Sequence, residues 1–250
     1  MTFADHFSGS AELYARHRPG YPPELFAWLA SLAPHHRFAW DCATGSGQAA
    51  VALADHFASV LATDASAEQI RHARPDPRVE YRVARAEEPG IASGSVALVT
   101  VAQAAHWFHL PDFYEAARAA LAPGGIIALW GYGDLRVDDE VDAVVIPFSE
   151  GTVGPYWPPE RRLVHDEYRS IPFPFNEIAA PAFTMRARWR RDGLLGHLRS
   201  WSSVAGYRRA VGDDSVARLE PALAAVWGDG ETREVRWPFF LRVGRITGGG

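Results

Sequence analysis

The stretch "AWDCATGSGQAA", residues 39–50, places an acid, Asp41, between a short apolar run and a glycine-rich turn. Within it, Gly45, Gly47 and Ala50 match the spacing G-x-G-x-x-G/A, in which a turn joins a strand to a helix and seats a nucleotide. Proteins that bind different nucleotides share this spacing. The stretch therefore predicts a strand–turn–helix nucleotide site without saying which nucleotide binds there.

The charge of Asp41 discriminates between the possible ligands. A pyrophosphate seated on the turn would lie a few Å from this carboxylate, and two like charges about 4 Å apart repel by roughly 4 kcal/mol at an effective dielectric constant near 20. S-adenosylmethionine (SAM) carries an ammonium, a sulfonium and no phosphate, and an open turn would let its methionine end lie against bare backbone. Asp64 follows 23 residues later, where α/β nucleotide sites place a carboxylate for the ribose hydroxyls. Asp64 suits either cofactor, so only Asp41 favours SAM.

Outward from this turn, short apolar runs alternate with helical patterns. The predicted strands are "FAWDCAT", "SVLATD", "VEYRVARA", "SVALVTVAQ" and "IIALWGYG". Ser66 and Gln69 predict a capping box for the helix after the second strand. Asp112 and Glu115 are expected to cap the helix "FYEAARAAL", which "APGG" should end. This alternation predicts a parallel sheet covered by helices.

The pattern changes after Gly133. Residues 137–150 look helical, residues 151–182 are rich in proline and aromatic residues, and "FTMRARWRR" and "EVRWPFFLRVGRI" each predict one strand. The expected fold is α/β: a Rossmann-like, seven-stranded, mostly parallel sheet with helices on both faces and a lobe inserted after strand 5. The predicted units are an N-terminal helical lid segment (1–37), a SAM-binding core (38–136), an inserted cap lobe (137–182) and a C-terminal completion of the sheet and helices (183–250).

Composition restricts the possible functions. The 250 residues are 48% hydrophobic, which is ample for a buried core, and the net charge of −5 argues against a nucleic-acid binder. Every basic residue is arginine, so a lysine Schiff base or a P-loop lysine is excluded. A single cysteine, Cys42, favours a reduced, cytoplasmic setting. The sequence shows no signal-peptide pattern and no apolar run long enough to span a membrane.

Several motifs together resemble a known family. "WDCATGSGQAA", "ATDAS", "ARAEE", "VAQAAHWF" and "LAPGGIIALW" resemble successive motifs of class I SAM-dependent methyltransferases. "YARHRPGYP", "GPYWPPERR", "SIPFPF" and "LRSWSSV" resemble the trans-aconitate/cantharidin-type branch, which acts on small molecules. The resemblance implies SAM as the cofactor and S-adenosylhomocysteine (SAH) as its product.

The resemblance assigns roles position by position. Asp41, Gly45 and Gly47 match the family pattern D-x-G-x-G-x-G, but Ala43 replaces its first glycine. Arg85 occupies the position of a usual adenine-binding acid, so Glu87 becomes the candidate for the adenine amine. The expected cofactor-binding residues are Asp41, Ala43, Thr44, Gly45, Gly47, Asp64, Ala65, Ala86, Glu87, Gln103 and Ala104.

The stretch "HWFH", residues 106–109, follows the predicted fourth strand, whose carboxyl end should border the ligand crevice. The candidate catalytic residues are His106, which could move a proton, and Gln103 beside the methyl group. A packed aromatic loop is the structural alternative, and we expect no metal site because further ligands for a His-x-x-His pair are missing. Tyr14, Arg18, Tyr21 and Trp107 are the candidate lid and substrate residues. The arginines of "RARWRRDG" and "ERR" could clamp a substrate carboxylate.

These observations predict a methyltransferase that moves a methyl group from SAM to a small-molecule acceptor, a carboxylate or hydroxyl oxygen, for example of an organic acid. The alternatives are an NAD-dependent oxidoreductase and a non-catalytic SAM-binding protein. We expect no nucleic-acid or membrane partner, and either a monomer or a homodimer. The acceptor and the methylated atom do not follow from the sequence.

Overall fold

The computed structural model of the protein describes residues 19–246. The candidate lid residues Tyr14 and Arg18 lie outside this range. No helix in the described range is long and apolar enough to cross a membrane.

One seven-stranded sheet forms the centre of the molecule, with strand order β3-β2-β1-β4-β5-β9-β6. Its strands are β1 (Phe38–Cys42), β2 (Ser59–Asp64), β3 (Val79–Val83), β4 (Val96–Ala102), β5 (Leu121–Tyr132), β6 (Asn176–Ile178) and β9 (Phe239–Arg245). The first five are parallel, and β9 runs antiparallel to both β5 and β6. This architecture confirms the predicted Rossmann-like fold class.

Helices cover both faces of the sheet and build a further layer beside it. Their bounds are α1 (Pro23–Leu32), α2 (Gln48–Ala54), α3 (Ala67–Arg71), α4 (Leu110–Ala120), α5 (Asp139–Pro147), α6 (Arg161–His165), α7 (Arg191–Arg199), α8 (Ser202–Val211) and α9 (Ser215–Trp227). A small antiparallel sheet pairs β7 (Met185–Trp189) with β8 (Arg233–Trp237). The helix α5 continues into a π-helical turn, Phe148–Thr152. The segment expected to be helical from 137 to 150 is therefore confirmed.

Alternate residues of the central strands pack on opposite faces, which separates two cores. Trp40 of β1 faces a cluster that includes Phe113 of α4. Its neighbour Ala39 faces a cluster that includes Leu25 of α1 and Leu53 of α2. A third cluster joins α5 and α7–α9 to the small sheet. This cluster is a separate core beside the sheet, and it draws on α7–α9 and β8 as well as on α5, so the lobe extends beyond the expected residues 137–182 to residue 237.

Two helix-cap predictions need correction. Ser66 does cap α3 through its hydroxyl, which accepts from the Gln69 N–H, but the Ser66 N–H donates to Asp64 and not back to Gln69. The capping box is therefore only half formed. At α4 the N-cap is His109 without a side-chain bond, because Pro111 starts the helix earlier than expected. Asp112 lies inside the first turn, where it suits the helix dipole.

Three strand predictions also differ from the structure. The segment "APGG" lies within β5 as an irregularity, since the β4–β5 register passes from Leu121 directly to Ile126. The last predicted strand is two strands in different sheets, because Pro238 separates β8 from β9 and lacks the N–H that a continuous ladder needs. The segment expected to be irregular contains the short edge strand β6, which pairs with β9.

Candidate functional site

The predicted site residues gather at the carboxyl ends of β1, β2 and β4. This edge is where open α/β sheets bind their ligands, and the change of direction between β1 and β4 opens a crevice there. The turn after Cys42 leads through Gly45 and Gly47 into α2. Asp64 ends the neighbouring strand β2, and Gln103 follows directly after β4.

Asp41 lies beneath the turn and is fully buried. Both carboxylate oxygens accept hydrogen bonds from hydroxyls, one from Thr44 at 2.6 Å and one from Thr100 at 2.7 Å. Thr100 is the one polar side chain in the apolar strand "VALVTVA", a signal that the sequence carried and that our prediction did not use. The hydroxyls hold the carboxylate in place, so Asp41 acts on the site through its charge and through the turn that it supports.

Burial raises the pKa of Asp41 to about 6, although the Thr44 and Thr100 hydroxyls favour the ionised form and lower it. The nearby Asp64 carboxylate adds a repulsion that raises the pKa further. Above pH 6 the ionised Asp41 therefore contributes a buried negative charge to the turn. A cationic ligand group would relieve the cost of that charge, whereas a phosphate would add to it.

Asp64 bridges the first two strands through its carboxylate. One oxygen accepts from the Gly45 N–H at 2.9 Å and the other from the Ser66 N–H at 2.8 Å. Asp64 is only partly buried, so its carboxylate borders the crevice while it fixes the turn. The neighbouring Ala65 is also partly exposed.

The turn carries no side chain at Gly45 and has space there for an added Cβ. This residue has φ +55°, and the nearest atom to an added Cβ would be Gln69 Oε1 at 3.9 Å. Gln69 is buried, and its Oε1 accepts no hydrogen bond from the described residues. A bare backbone beside a buried acceptor without a donor matches a ligand that carries N–H or O–H groups.

Ala43 adopts a left-handed backbone conformation with φ +54°. Glycine, the residue of the family pattern that this stretch resembles, takes this conformation without the steric cost that a Cβ adds. The alanine therefore adopts the turn at some cost in strain. Its neighbour Thr44 donates its N–H to Thr63 O of β2, which ties the turn to the sheet.

The loop after β3 places two further candidates near the crevice. Ala86 is buried in the core that also contains Trp40. Glu87 accepts from the His109 backbone N–H at 3.2 Å and pairs with Arg85 at 3.4 Å. Glu87 therefore joins this loop to the start of α4, and a contact with adenine would have to share its carboxylate with these partners.

Gln103 connects the ends of β4 and β5. Its side-chain amide accepts from the Tyr132 N–H at 2.8 Å and donates to Tyr132 O at 3.1 Å. The backbone of Gln103 is left-handed, with φ +55°, and its own N–H donates to Trp130 O. The amide is thus engaged with the backbone, and it lies at the boundary between the turn and a neighbouring cleft. The adjoining Ala104 is buried.

This cleft is lined by the loops after β4 and β5 and by the inserted lobe. Aromatic rings dominate its wall, with one partly buried charged pair, Arg161 and Asp134, among them. The rings are His106, Trp107, Tyr132, Trp157, His197, Trp201 and Trp237. Such a wall suits the body of a small organic molecule.

The two histidines of "HWFH" have different surroundings. Nδ1 of His106 lies 2.7 Å from the Tyr168 hydroxyl, and its ring packs 4.7 Å from Trp107. His109 is more exposed, and its Nδ1 lies 2.9 Å from Asp112. The two rings therefore engage different partners, and His106 with Trp107 belongs to the cleft.

Tyr21 packs edge-on against Trp130 of β5, with ring centroids 5.5 Å apart. Of the candidate arginines, Arg161 lines the cleft, where it stacks 3.9 Å over Trp157 and pairs with Asp134. Arg186 of the small sheet is two-thirds exposed. Of the arginines in these two motifs, all of which the structure describes, only Arg161 of "ERR" lines this wall.

Sequence reasoning missed Tyr168, Asp134 and five aromatic residues of the wall, Tyr132, Trp157, His197, Trp201 and Trp237. The lobe residues His197, Trp201 and Trp237 come from segments that packing alone brings to the cleft. Tyr168 lies in a proline-rich and aromatic region without periodicity, so no pattern marks it. Asp134 followed the fifth predicted strand and could have been considered because strand ends border the crevice.

A glycine turn supported by a buried acid, a second acid at the end of the next strand and a separate cleft beyond β4 fit a class I methyltransferase. A methyltransferase domain model matches residues 40–129, which run from β1 into β5. A Dictyostelium discoideum protein with a provisional methyltransferase name is 34% identical over 247 residues, covering 96% of this chain and 94% of that protein. The chain belongs to the methyltransferase family, and its fold places it among the class I SAM-dependent enzymes.

Solved structures agree with this assignment. A structure from Anaeromyxobacter dehalogenans, provisionally described as a type II methyltransferase, is 46% identical, has a TM-score of 0.85, and is matched over 92% of this chain and 98% of that one. A structure from Anabaena variabilis with 21% identity and a TM-score of 0.53 shares the fold alone, over 89% of this chain and 98% of that one. These relatives do not favour an NAD-dependent oxidoreductase.

Proposed function

We propose that this enzyme transfers the methyl group of SAM to an oxygen of a small organic acceptor, a carboxylate or a hydroxyl. The observation that carries the proposal is the turn of residues 43–47 between two acids, Asp41 and Asp64, with a bare backbone at Gly45, where an added Cβ would meet no atom closer than 3.9 Å. The resemblance to the trans-aconitate/cantharidin-type branch supports an organic acid as the acceptor. The single cysteine favours a cytoplasmic setting for this chemistry.

In this proposal, one group of residues binds the cofactor and another group encloses the acceptor. When bound, SAM supplies an electrophilic methyl group on a sulfonium. Asp64 would hold the ribose hydroxyls, Gln69 Oε1 offers an acceptor beside the turn, and Asp41 contributes the negative charge that suits a cationic group. The aromatic wall of the cleft would enclose the acceptor and exclude water, which favours a reaction in which a cation and an anion become neutral products.

Cofactor binding can be tested through Asp64. Asp64→Asn removes one charge and weakens the acceptor for two hydroxyls, so we expect SAH affinity to fall at least tenfold in calorimetric titration. Asp55→Asn is the control, because Asp55 follows α2 on the surface, with 72% of its side chain exposed. Equal SAH affinity in Asp64→Asn and Asp55→Asn would contradict the assignment of the ribose acid.

Acceptor chemistry can be tested through SAH release from SAM against a panel of small carboxylic acids and hydroxyl compounds. A carboxylate needs no base at neutral pH, so His106→Ala should reduce turnover only modestly with a carboxylic acid. A loss of 100-fold or more, typical of a general base, would exclude the base-free reaction. A chain that binds SAH but releases none with any compound would favour the non-catalytic alternative.

A further inference from the structure

Tyr168 is a fully buried tyrosine whose hydroxyl lies 2.7 Å from Nδ1 of His106. Its ring stands edge-on to Phe240 of β9, with centroids 4.9 Å apart. Burial raises the pKa of the Tyr168 phenol far above its ordinary value, so the hydroxyl keeps its proton. A neutral phenol is therefore hydrogen-bonded to a histidine that lines the cleft.

The direction of this hydrogen bond follows from the other groups around the phenol oxygen. The backbone of Ala105 and of His106 lowers the pKa of this phenol, as N–H groups directed at its oxygen do, although burial raises the pKa more. Such N–H groups favour the acceptor lone pairs of the oxygen, so the hydroxyl proton is directed toward another partner. His106 Nδ1 is the acceptor in reach, and a nitrogen that accepts a hydrogen bond carries no proton. In a neutral imidazole the ring proton then lies on Nε2.

The backbone around Tyr168 is held in a costly conformation. Glu167 and Tyr168 both have left-handed φ values, +55° and +57°, without being glycine. A guanidinium anchors this turn, because Arg242 Nη1 donates to Tyr168 O at 2.9 Å and to Ile171 O at 2.8 Å. Strain that the surrounding structure enforces in this way is found at functional sites.

We propose that Tyr168 is a positioning residue that fixes the tautomer of His106, with its hydroxyl donating to Nδ1 and the ring proton on Nε2. In this tautomer Nε2 of His106 is a hydrogen-bond donor and not a base. A donor suits an acceptor that arrives as an anion, which is the carboxylate form of the proposed substrate. The role in turnover rests on the proposed methyl transfer, whereas the tautomer is a property of the chain alone.

Nitrogen NMR of protein labelled with ¹⁵N-histidine tests the tautomer directly. The signal of His106 is identified by its loss in His106→Gln. In the wild type we expect an unprotonated Nδ1 and a protonated Nε2, and in Tyr168→Phe a shift of both signals toward a mixture of tautomers. A wild-type Nδ1 that carries the proton would overturn the proposal, and this spectrum decides the matter even if Tyr168→Phe does not fold.

Tyr114→Phe is the matched control. Tyr114 is buried in the same core cluster, and its hydroxyl has no hydrogen-bond partner among the described residues. Removal of this hydroxyl should leave both ¹⁵N signals of the His106 ring unchanged. The spectra are compared only for variants whose thermal unfolding is cooperative, which shows that they are folded. A Tyr168→Phe spectrum identical to that of Tyr114→Phe would also contradict the positioning role.

Turnover separates this proposal from the proposed function. With a carboxylic acid that supports SAH release, Tyr168→Phe should lower kcat about threefold, and by no more than His106→Ala does, at an unchanged KM for SAM. In the His106→Ala background the same change should have no further effect. If the kcat losses of Tyr168→Phe and His106→Ala instead add up in the double variant, the positioning role is overturned. A wild type that binds no SAH would overturn the proposed function and leave the NMR result standing.

Discussion

Asp41 is a fully buried acid that lowers the stability of the fold at neutral pH. Its pKa is about 6 in the folded chain, above the ordinary 3.8, because burial disfavours the ionised form. The folded state therefore binds this proton more tightly than the unfolded state does. Stability from this group is present below about pH 3.8 and is lost as the pH rises to about 6. At neutral pH the fold carries an ionised Asp41 at a cost of roughly 3 kcal/mol.

We expect Asp41→Asn to be more stable than the wild type at pH 7. The amide keeps partners for the Thr44 and Thr100 hydroxyls but has no charge to desolvate. The difference in free energy of unfolding should grow by about 1–3 kcal/mol between pH 4 and pH 7, measured by urea unfolding. Asp55→Asn on the surface is the control. A difference that stays constant over this pH range would refute the buried, ionised Asp41.

Gly47 illustrates the packing of the turn against β3. It is left-handed, with φ +79°, and an added Cβ would lie 2.2 Å from the Tyr81 hydroxyl. That hydroxyl donates to Arg74 O at 2.5 Å, so it cannot move without losing its bond. Gly212 after α8 has almost the same φ, +78°, with no atom within 4 Å of an added Cβ. The two glycines therefore differ in surroundings and not in backbone.

Alanine at these two positions separates strain from contact. Gly212→Ala should lose about 1–2 kcal/mol of unfolding free energy through the left-handed backbone alone. Gly47→Ala should lose about 1–3 kcal/mol more, because Tyr81 must shift. Urea unfolding of both variants measures the difference. Equal losses would mean that the turn does not pack against Tyr81.

At the scale of elements, the sequence predicted the strands that have strong apolar signals and clear ends. "SVLATD" was predicted as a strand with the bounds of β2, and the runs that became β1 and β4 were placed within two residues at each end. Each is a buried parallel strand, for which a continuous apolar run is the expected pattern. The local pattern was sufficient here because both faces of these strands are covered.

Other elements depended on contacts that no local pattern contains. The edge strand β6 has three residues, so it is defined by its pairing with β9. The pattern of β7 correctly predicts a strand, but its partner β8 and their separate sheet follow from packing of the lobe. Pro238 was a visible signal for a break between β8 and β9 that our prediction did not use.

The candidate site likewise has one part that the sequence predicted and one part that it did not. The sequence motifs predicted the turn of residues 43–47 and the two acids beside it, since their spacing reflects local geometry. The wall of the cleft comes from distant segments such as those of Trp157 and Trp237, which only the folded lobe brings together. Tyr168 was not predicted because no sequence pattern indicates a tyrosine with a left-handed backbone conformation.

Arg242 of β9 binds three residues of the segment 168–178, and this role can be tested by substitution. Besides its bonds to the Tyr168 and Ile171 carbonyls, it pairs with Glu177 of β6 at 2.8 Å and is four-fifths buried. Arg242→Gln should lower the unfolding free energy by about 1–3 kcal/mol and speed amide hydrogen exchange over residues 168–178.

Arg186→Gln is the control for Arg242→Gln. Arg186 is two-thirds exposed and lies 3.9 Å from Glu234, so its loss should change stability by no more than about 0.5 kcal/mol. Unchanged exchange over residues 168–178 in Arg242→Gln would show that other contacts hold this segment.

At the scale of the whole molecule, the central sheet supplies a rigid edge and the inserted lobe supplies a separate wall. The turn after β1 and the acid of β2 lie at one part of this edge, and the aromatic cleft lies beyond β4. Gln103 lies between the two, where it ties the ends of β4 and β5 together. This arrangement suits an enzyme that keeps its methyl donor constant while the lobe determines the acceptor.

Calorimetric titration of the wild type and of Asp41→Asn with SAH and with NAD⁺ tests the central claim most directly. If the buried acid selects a ligand that carries a cationic group and no phosphate, the wild type binds SAH, NAD⁺ gives no measurable heat, and Asp41→Asn binds SAH at least tenfold more weakly. Tight binding of NAD⁺ to the wild type, or SAH binding that is unchanged in Asp41→Asn, would contradict it.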